Sequence, residues 1–199
     1  MDPQSLKTQY ATSANLAARI ALHQRFSTNS YGLQRWVFDQ FDLSAGKRVL
    51  EIACGAGSLW RENLDRIPAD LDLVLSDFSI AMVETTRKVL PDARLAVYAL
   101  PSVPFADASF DLVIANHMLY HVDDRQRGLA EIRRVLRRGG ALFAATNGAD
   151  HLRELKELML AFGIDAHDVS LSFTLGNAEE QLRGVFDDIR CEEYVDSLL

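Results

Sequence analysis

The sequence predicts an α/β fold, a doubly wound, mostly parallel sheet with helices on both faces. Three observations predict it. Short runs rich in Val, Leu and Ile alternate with helical patterns through the middle of the chain. The first run, Val49-Leu50-Glu51-Ile52, passes directly into Ala53-Cys54-Gly55-Ala56-Gly57, a strand entering a glycine turn. The 199 residues suit one domain with a substantial core, and 48% hydrophobic with 25% charged residues is an ordinary soluble balance.

Residues 5–41 read as helical, with Leu6, Tyr10, Leu16, Ile20, Leu22 and Phe26 spaced for a buried stripe. Residues 27–32 break this pattern as a loop, and a second helix covers 33–41. Strands are predicted at 47–52, 71–75, 95–100, 110–115 and 141–146. Helices fall between them at 59–66, ended by Pro68, at 80–90 with Ser79 as N-cap, and at 124–136. Arg138-Gly139-Gly140 turns the chain into the fifth strand. The last third is less regular, with helices at 151–162 and 177–186 and a sixth strand at 190–199. No repeat or linker divides the chain.

The net charge of -7 argues against broad nucleic-acid binding, which needs a basic face. Arg125, Arg127, Arg133, Arg134, Arg137 and Arg138 read as a solvated face shared with Asp123, Asp124 and Glu131. No apolar run approaches the ~20 residues of a membrane span. The N-terminus carries Asp2 and no apolar segment of signal-peptide type. Cys54 and Cys191 are too few for a disulfide framework or zinc site, and Cys54 reads as a small packing residue in the turn. A reducing, cytoplasmic setting is the default expectation.

In a parallel sheet, ligands bind outside the carboxyl ends of the strands, so the residues closing each strand matter most. The first strand offers Glu51 and the turn, where Gly55 and Gly57 allow a tight bend and close approach of a ligand. The second ends in Asp77, 22 residues beyond Gly55, a spacing at which an acid meets ribose hydroxyls. A simple turn-forming role for Asp77 is the alternative. Trp60 stands where the third glycine of a dinucleotide fingerprint belongs. Glu51 would repel a pyrophosphate but welcome an ammonium group. Both disfavour a nicotinamide-dependent oxidoreductase.

Five motifs in order then resemble the class I S-adenosylmethionine-dependent methyltransferases of small-molecule type, over residues 48–146. They are Val49 to Gly57, with Ala53 replacing the usual first glycine, and Leu75-Ser76-Asp77-Phe78-Ser79 followed by Met82. Next come Val103-Pro104-Phe105-Ala106-Asp107-Ala108-Ser109-Phe110-Asp111 and Ala115-Asn116-His117-Met118-Leu119-Tyr120-His121-Val122. The last runs from Leu129 to Gly140 with Glu131, Arg134 and the Gly139-Gly140 pair. The resemblance implies a Rossmann-like fold in which residues 1–44 are a helical cap, 45–147 the cofactor-binding core, and 148–199 C-terminal helices and strand.

It also implies S-adenosylmethionine as cofactor, leaving as S-adenosylhomocysteine, and methyl transfer to O, N or C of a small molecule. Glu51, Ala53, Gly55 and Gly57 would surround the methionine part, and Asp77 the ribose. Phe78 and Met82 would lie against the adenine. Ala99 stands where many members place an acid for the adenine amino group, leaving that group to the backbone around Leu100. Asn116 and His117 would lie beside the transferable methyl, and Tyr10 and Tyr31 are candidates for the pocket wall. His117 and His121 are the candidate general bases, His117 first, with a structural hydrogen bond the blander role of His121. Their spacing without a third ligand implies no metal.

Two other readings stay open: a cofactor-binding accessory module without transfer activity, and the disfavoured oxidoreductase. No nucleic-acid or membrane partner is expected. The resemblance implies further helix and a final antiparallel strand beyond Ser197-Leu198-Leu199, so that strand is expected to be missing. An open sheet edge in its place makes a homodimer conceivable.

Overall fold

The computed structural model describes residues 14–164 and 169–198. Helices α1 (Ala14–Phe26) and α2 (Leu33–Asp39) precede β1 (Arg48–Ile52), α3 (Ser58–Arg61), β2 (Asp72–Asp77) and α4 (Ile80–Val89). Then come β3 (Arg94–Val97), β4 (Phe110–Ile114), α5 (Arg125–Val135), β5 (Leu136–Phe143), α6 (Arg153–Ala161) and α7 (Ala178–Leu182). Short 3₁₀ turns lie at Leu64–Arg66, Leu119–His121 and Val169–Ser172.

The five strands form one parallel sheet in the order β3-β2-β1-β4-β5. The order reverses between β1 and β4, and that is where the crevice opens. Successive strand residues face opposite sides, so β1 feeds both layers of core. Leu50 and Ile52 join Val113, Leu129, Ile132 and Val135 on the α5 side. Val49 joins Val37, Phe38, Leu59, Trp60 and Ile114 on the other. Burial on both faces explains why the strands read as unbroken apolar runs rather than alternating ones.

The sheet and its order match the predicted fold class, while several boundaries differ. The predicted helix at 59–66 is one turn of α-helix followed by a 3₁₀ turn. The predicted strand at 95–100 stops at Val97, before the loop that carries Pro101 and Pro104. Pairing of β5 begins already at Leu136, opposite Phe110, and resumes at Ala141 opposite Leu112. Residues 137–140 bulge out between these points, with Gly139 at φ 78. The helix expected at 177–186 is five residues long.

The sixth strand expected at 190–199 is not formed over 190–198, which run irregularly with one antiparallel bridge, Leu198 to Ser27. That stretch is fastened instead through side chains. Asp196 accepts from the Ser27 hydroxyl at 2.5 Å and the Asn29 amide at 2.9 Å, and Tyr194 rests on Trp36 with ring centroids 5.5 Å apart. Leu6 and Tyr10 lie outside the described residues. Ile20 and Leu22 are half-buried, whereas Phe26 is exposed, so the predicted stripe is only partly covered.

The arginines of α5 and its flank are not simply solvated. Arg134 donates to Glu131 and Asp107, and also to the carbonyls of Val103 and Phe105 at 3.0 and 2.8 Å. It thereby holds the loop that leads into β4. Arg137 pairs with Asp111 at 2.7 Å. Arg125 donates to the Leu119 and Ser172 carbonyls and lies over the Phe173 ring.

Candidate functional site

The carboxyl ends of β1, β2 and β4 open onto a cleft. Glu51 closes β1 and is 3% exposed. Its Oε2 accepts the indole N–H of Trp60 at 2.6 Å. Burial raises the Glu51 carboxyl to about 7, opposed by the indole and reinforced by the charge of Asp77. Trp60 therefore aims the carboxylate that its sequence position only hinted at. The bond joins residues nine apart across strand, turn and helix, a link no helical or strand period signals.

The turn after β1 is left-handed at Ala53 (φ 59), Gly55 (φ 57) and Gly57 (φ 71). Ala53 thus takes a glycine-like conformation at the position where the resemblance places a glycine. Two side chains hold the turn closed. The Gly55 amide donates to Asp77 Oδ2 at 3.0 Å, and the buried Thr86 hydroxyl of α4 donates to the Gly55 carbonyl at 2.9 Å. Thr86 was not singled out by the sequence; it sits one apolar-face position along α4, where a hydroxyl looks like a packing residue. Cys54 is buried and its thiol is pushed up by that burial, which fits a packing role.

Asp77 closes β2, 5% exposed, with Oδ1 accepting the Ser79 amide at 2.8 Å. Burial raises its pKa while the amides of Ser79, Gly55 and Phe78 pull the other way. Each oxygen has two acceptor sites, so both keep capacity for hydroxyls from the cleft. The turn-forming and ligand-facing readings of Asp77 are thus compatible. Phe78 lines the cleft beside it, as do Ala99 and Leu100 beyond β3. Met82 does not: it is 1% exposed, turned inward from α4, and absent from the cleft wall. Of that pair, only Phe78 lines the cleft.

Beyond β4, Asn116 lines the cleft with a buried Oδ1 that has no protein partner. His117 follows in a left-handed conformation (φ 51), its amide donating to the Ala145 carbonyl at 2.8 Å. Burial lowers the His117 imidazole to about 4, helped by the charges of His151 and His23. It is therefore neutral at pH 7. His121 ends a 3₁₀ turn at the cleft wall, its ring 4.5 Å from that of Tyr120. Tyr31 also lines the cleft, with its hydroxyl donating to Asp39 at 2.6 Å. Tyr10 lies outside the described residues. Among the described residues, no cluster of three His, Cys, Asp or Glu side chains is arranged to hold a metal.

The fold and strand-end acids define an open parallel α/β domain with a nucleoside-cofactor crevice at its switch point. Residues 50–144 match the family model of a methyltransferase domain, and the open parallel sheet has the Rossmann-like order of strands. The demethylmenaquinone methyltransferase of Renibacterium salmoninarum is 36% identical over 112 residues, 56% of this chain and 46% of that protein. The ubiquinone/menaquinone biosynthesis C-methyltransferase of a Geobacter species is 31% identical over 131 residues, 63% and 56% of the two chains. The chain spans about half the length of the curated relatives it matches.

Among solved structures, an S-adenosylmethionine-dependent methyltransferase of Thermotoga maritima superposes with TM-score 0.66 at 19% identity, over 89% of this chain and 78% of the other. Phosphoethanolamine N-methyltransferase 2 of Haemonchus contortus, solved with S-adenosylhomocysteine, gives 0.64 at 20% identity, over 90% and 43%. These are likenesses of fold. Among the described residues no helix is long and apolar enough to cross a membrane.

Proposed function

We propose that this chain transfers a methyl group from S-adenosylmethionine to a small-molecule acceptor. The observation that carries the reading is the pairing of two buried strand-end carboxylates, Glu51 and Asp77, across a left-handed turn that Asp77 itself clasps. Glu51 beside the turn would repel a pyrophosphate and suits an ammonium, while a ribose diol suits Asp77. Asn116 Oδ1, buried and without a protein partner, supplies the further acceptor that an amino-acid ammonium needs.

The bound cofactor supplies a methyl already activated on a sulfonium. What remains for the chain is alignment and exclusion of water. Glu51 and Asn116 hold the amino-acid end, Asp77 the ribose, and Phe78 packs on the adenine, with Ala99 and Leu100 behind it. Residues 1–44 and 148–199 would then cap a core at 45–147. Burial lowers the basicity of the His117 imidazole to about 4, so it is a weak proton acceptor and an early deprotonation by it is disfavoured.

Relatives include quinone C-methyltransferases and the malonyl-[acyl-carrier protein] O-methyltransferase of Enterobacter lignolyticus, so both carbon and oxygen acceptors fall within reach of this scaffold. Calorimetric titration tests the cofactor assignment. Wild-type protein is expected to bind S-adenosylhomocysteine and not NAD, and Asp77→Asn to weaken that binding about 30-fold through loss of a charged acceptor. Unchanged affinity in Asp77→Asn removes the ribose role. Mass spectrometry of S-adenosylhomocysteine formation across a panel of small acceptors then tests transfer.

A further inference from the structure

Resting on the methyl-transfer reading, we propose that Trp60 is a positioning residue of the cofactor site. It occupies one oxygen of Glu51, leaves the other to the ammonium of the cofactor, and is itself held in place by α2 through Phe38 and Asn63.

Glu51 lines the cleft, whereas Trp60, Phe38 and Asn63 do not. Trp60 is 0% exposed, and its indole N–H donates to Glu51 Oε2 at 2.6 Å. A donor fixed on Oε2 sets the direction of the side chain and leaves Oε1 for a ligand. Packing alone does not account for the pair. Burying a carboxylate beside Val37, Phe38 and Leu59 is costly, and apolar side chains of similar volume commonly serve a core better than a buried polar pair. The acid is there for a cation, and the indole is there for the acid.

Trp60 cannot hold this pose from its own helix. α3 is four residues long, and a single turn is unstable by itself. Its orientation comes from α2. Phe38, 6% exposed, meets the indole edge-to-face, with ring centroids 5.9 Å apart and planes at 84°. The Arg66 guanidinium lies 4.8 Å from the centre of the Phe38 ring and pairs with Asp39, which fixes that ring in turn. Asn63 is 0% exposed and follows α3 directly. Its amide donates to the Leu59 carbonyl at 2.8 Å and to the Gln34 carbonyl at 3.1 Å, stitching the end of α3 to α2.

The bond also has an electrostatic consequence. A hydrogen bond to the charged form of a carboxyl favours that form. The indole thus opposes the burial and the Asp77 charge that favour the proton on Glu51. Cys54 is the other titratable neighbour; burial pushes its thiol up, so it stays neutral near pH 7.

Calorimetric titration of the full chain with S-adenosylhomocysteine tests the assignment. Trp60→Phe keeps an aromatic ring and removes the N–H. It should weaken binding about tenfold at pH 7, with a larger loss at pH 6 than at pH 8, because Glu51 ionises unaided only as pH rises. In a Glu51→Ala background the same substitution should cost less than about twofold. Phe38→Leu should weaken binding about threefold with Glu51 present and leave it unchanged in Glu51→Ala. A loss of equal size in both backgrounds makes Trp60 a packing residue and overturns the proposal, as does unchanged or tighter binding in Trp60→Phe. If these variants fold poorly, proton–nitrogen NMR of the wild-type chain decides. The Trp60 indole proton, assigned against Trp36→Phe, should exchange slowly with solvent and shift on saturation with S-adenosylhomocysteine; a signal that does not move overturns the proposal. Failure of the wild-type chain to bind S-adenosylhomocysteine overturns the methyl-transfer reading, and this one with it. Retained wild-type binding without the coupling between Trp60 and Glu51 overturns this one only.

Discussion

Glu51→Gln separates the cost of Glu51 from its use. The side chain is 3% exposed, and burial lifts its pKa from 4.5 to about 7. The native state therefore holds the proton more tightly than the unfolded chain does. Stability is highest below the unfolded value, falls as pH rises from 4.5 to about 7, and stays low above that. The interval corresponds to about 3 kcal/mol of lost stability at pH 8 and about 1 kcal/mol at pH 5. Glutamine keeps an oxygen for the Trp60 indole at 2.6 Å but has no charge to desolvate. For a chain of this length, the variant should melt about 6–12 °C above wild type at pH 8 and about 2–4 °C above it at pH 5. Scanning calorimetry without cofactor measures both. The same variant should bind S-adenosylhomocysteine about tenfold or more weakly, since it loses an ion-paired ammonium contact. An equal rise in melting temperature at both pH values, or none at pH 8, refutes the buried, proton-holding carboxyl. A rise without any loss of affinity leaves the burial argument intact and removes Glu51 from the cofactor site.

Gly57→Ala places a Cβ 3.2 Å from Thr86 Cγ2 at φ 71, and is expected to cost about 1–2 kcal/mol, read as a lower urea midpoint with an unchanged slope. Thr86→Val keeps the shape of the side chain but leaves the Gly55 carbonyl without its 2.9 Å donor, so stability should fall by about 1–3 kcal/mol in the same assay. Arg134→Met retains the apolar stem and abandons the carbonyls of Val103 and Phe105; about 1–2 kcal/mol of stability should be lost, with S-adenosylhomocysteine affinity preserved.

The parts of this molecule legible in sequence are those governed by local pattern and by one topological rule. Runs such as Val49 to Ile52 and Phe110 to Ile114 are apolar because both faces of a parallel sheet are covered, and turn residues bound them. Knowing that ligands sit at strand ends then singles out Glu51 and Asp77 without further information. What sequence could not supply is pairing at long range. Trp60 read as an obstacle to a dinucleotide, whereas its indole aims Glu51. Met82 has the helical spacing of a cleft residue but faces the sheet, because the rotation of α4 about its axis is set by packing against β2 and β3. His23 and His151 carry no motif and meet only because α1 folds over the loop after β5. Residues 190–198 read as a strand, yet a strand needs a neighbour, and Asp196 binds the loop at 27–29 instead.

The two acids differ in how they are committed, and this orders the site. Glu51 has a single side-chain partner and carries an unfavourable charge until a cation arrives, so its free energy is realised on binding. Asp77 is already engaged, with one amide on each oxygen, before any ligand is present. Its bond to Gly55 fixes the left-handed turn, and Thr86 fixes the same residue from the opposite side. The cofactor therefore meets a turn whose ordering cost was met during folding, which leaves more of the contact energy for affinity. Ala53 fits the same logic. A Cβ in left-handed backbone is disfavoured when the turn is free, but the clasp at Gly55 overrides that local preference. The turn by itself thus requires a carboxylate at position 77, since an amide there would fail one of its two backbone donors before any question of the proposed ribose contact arose.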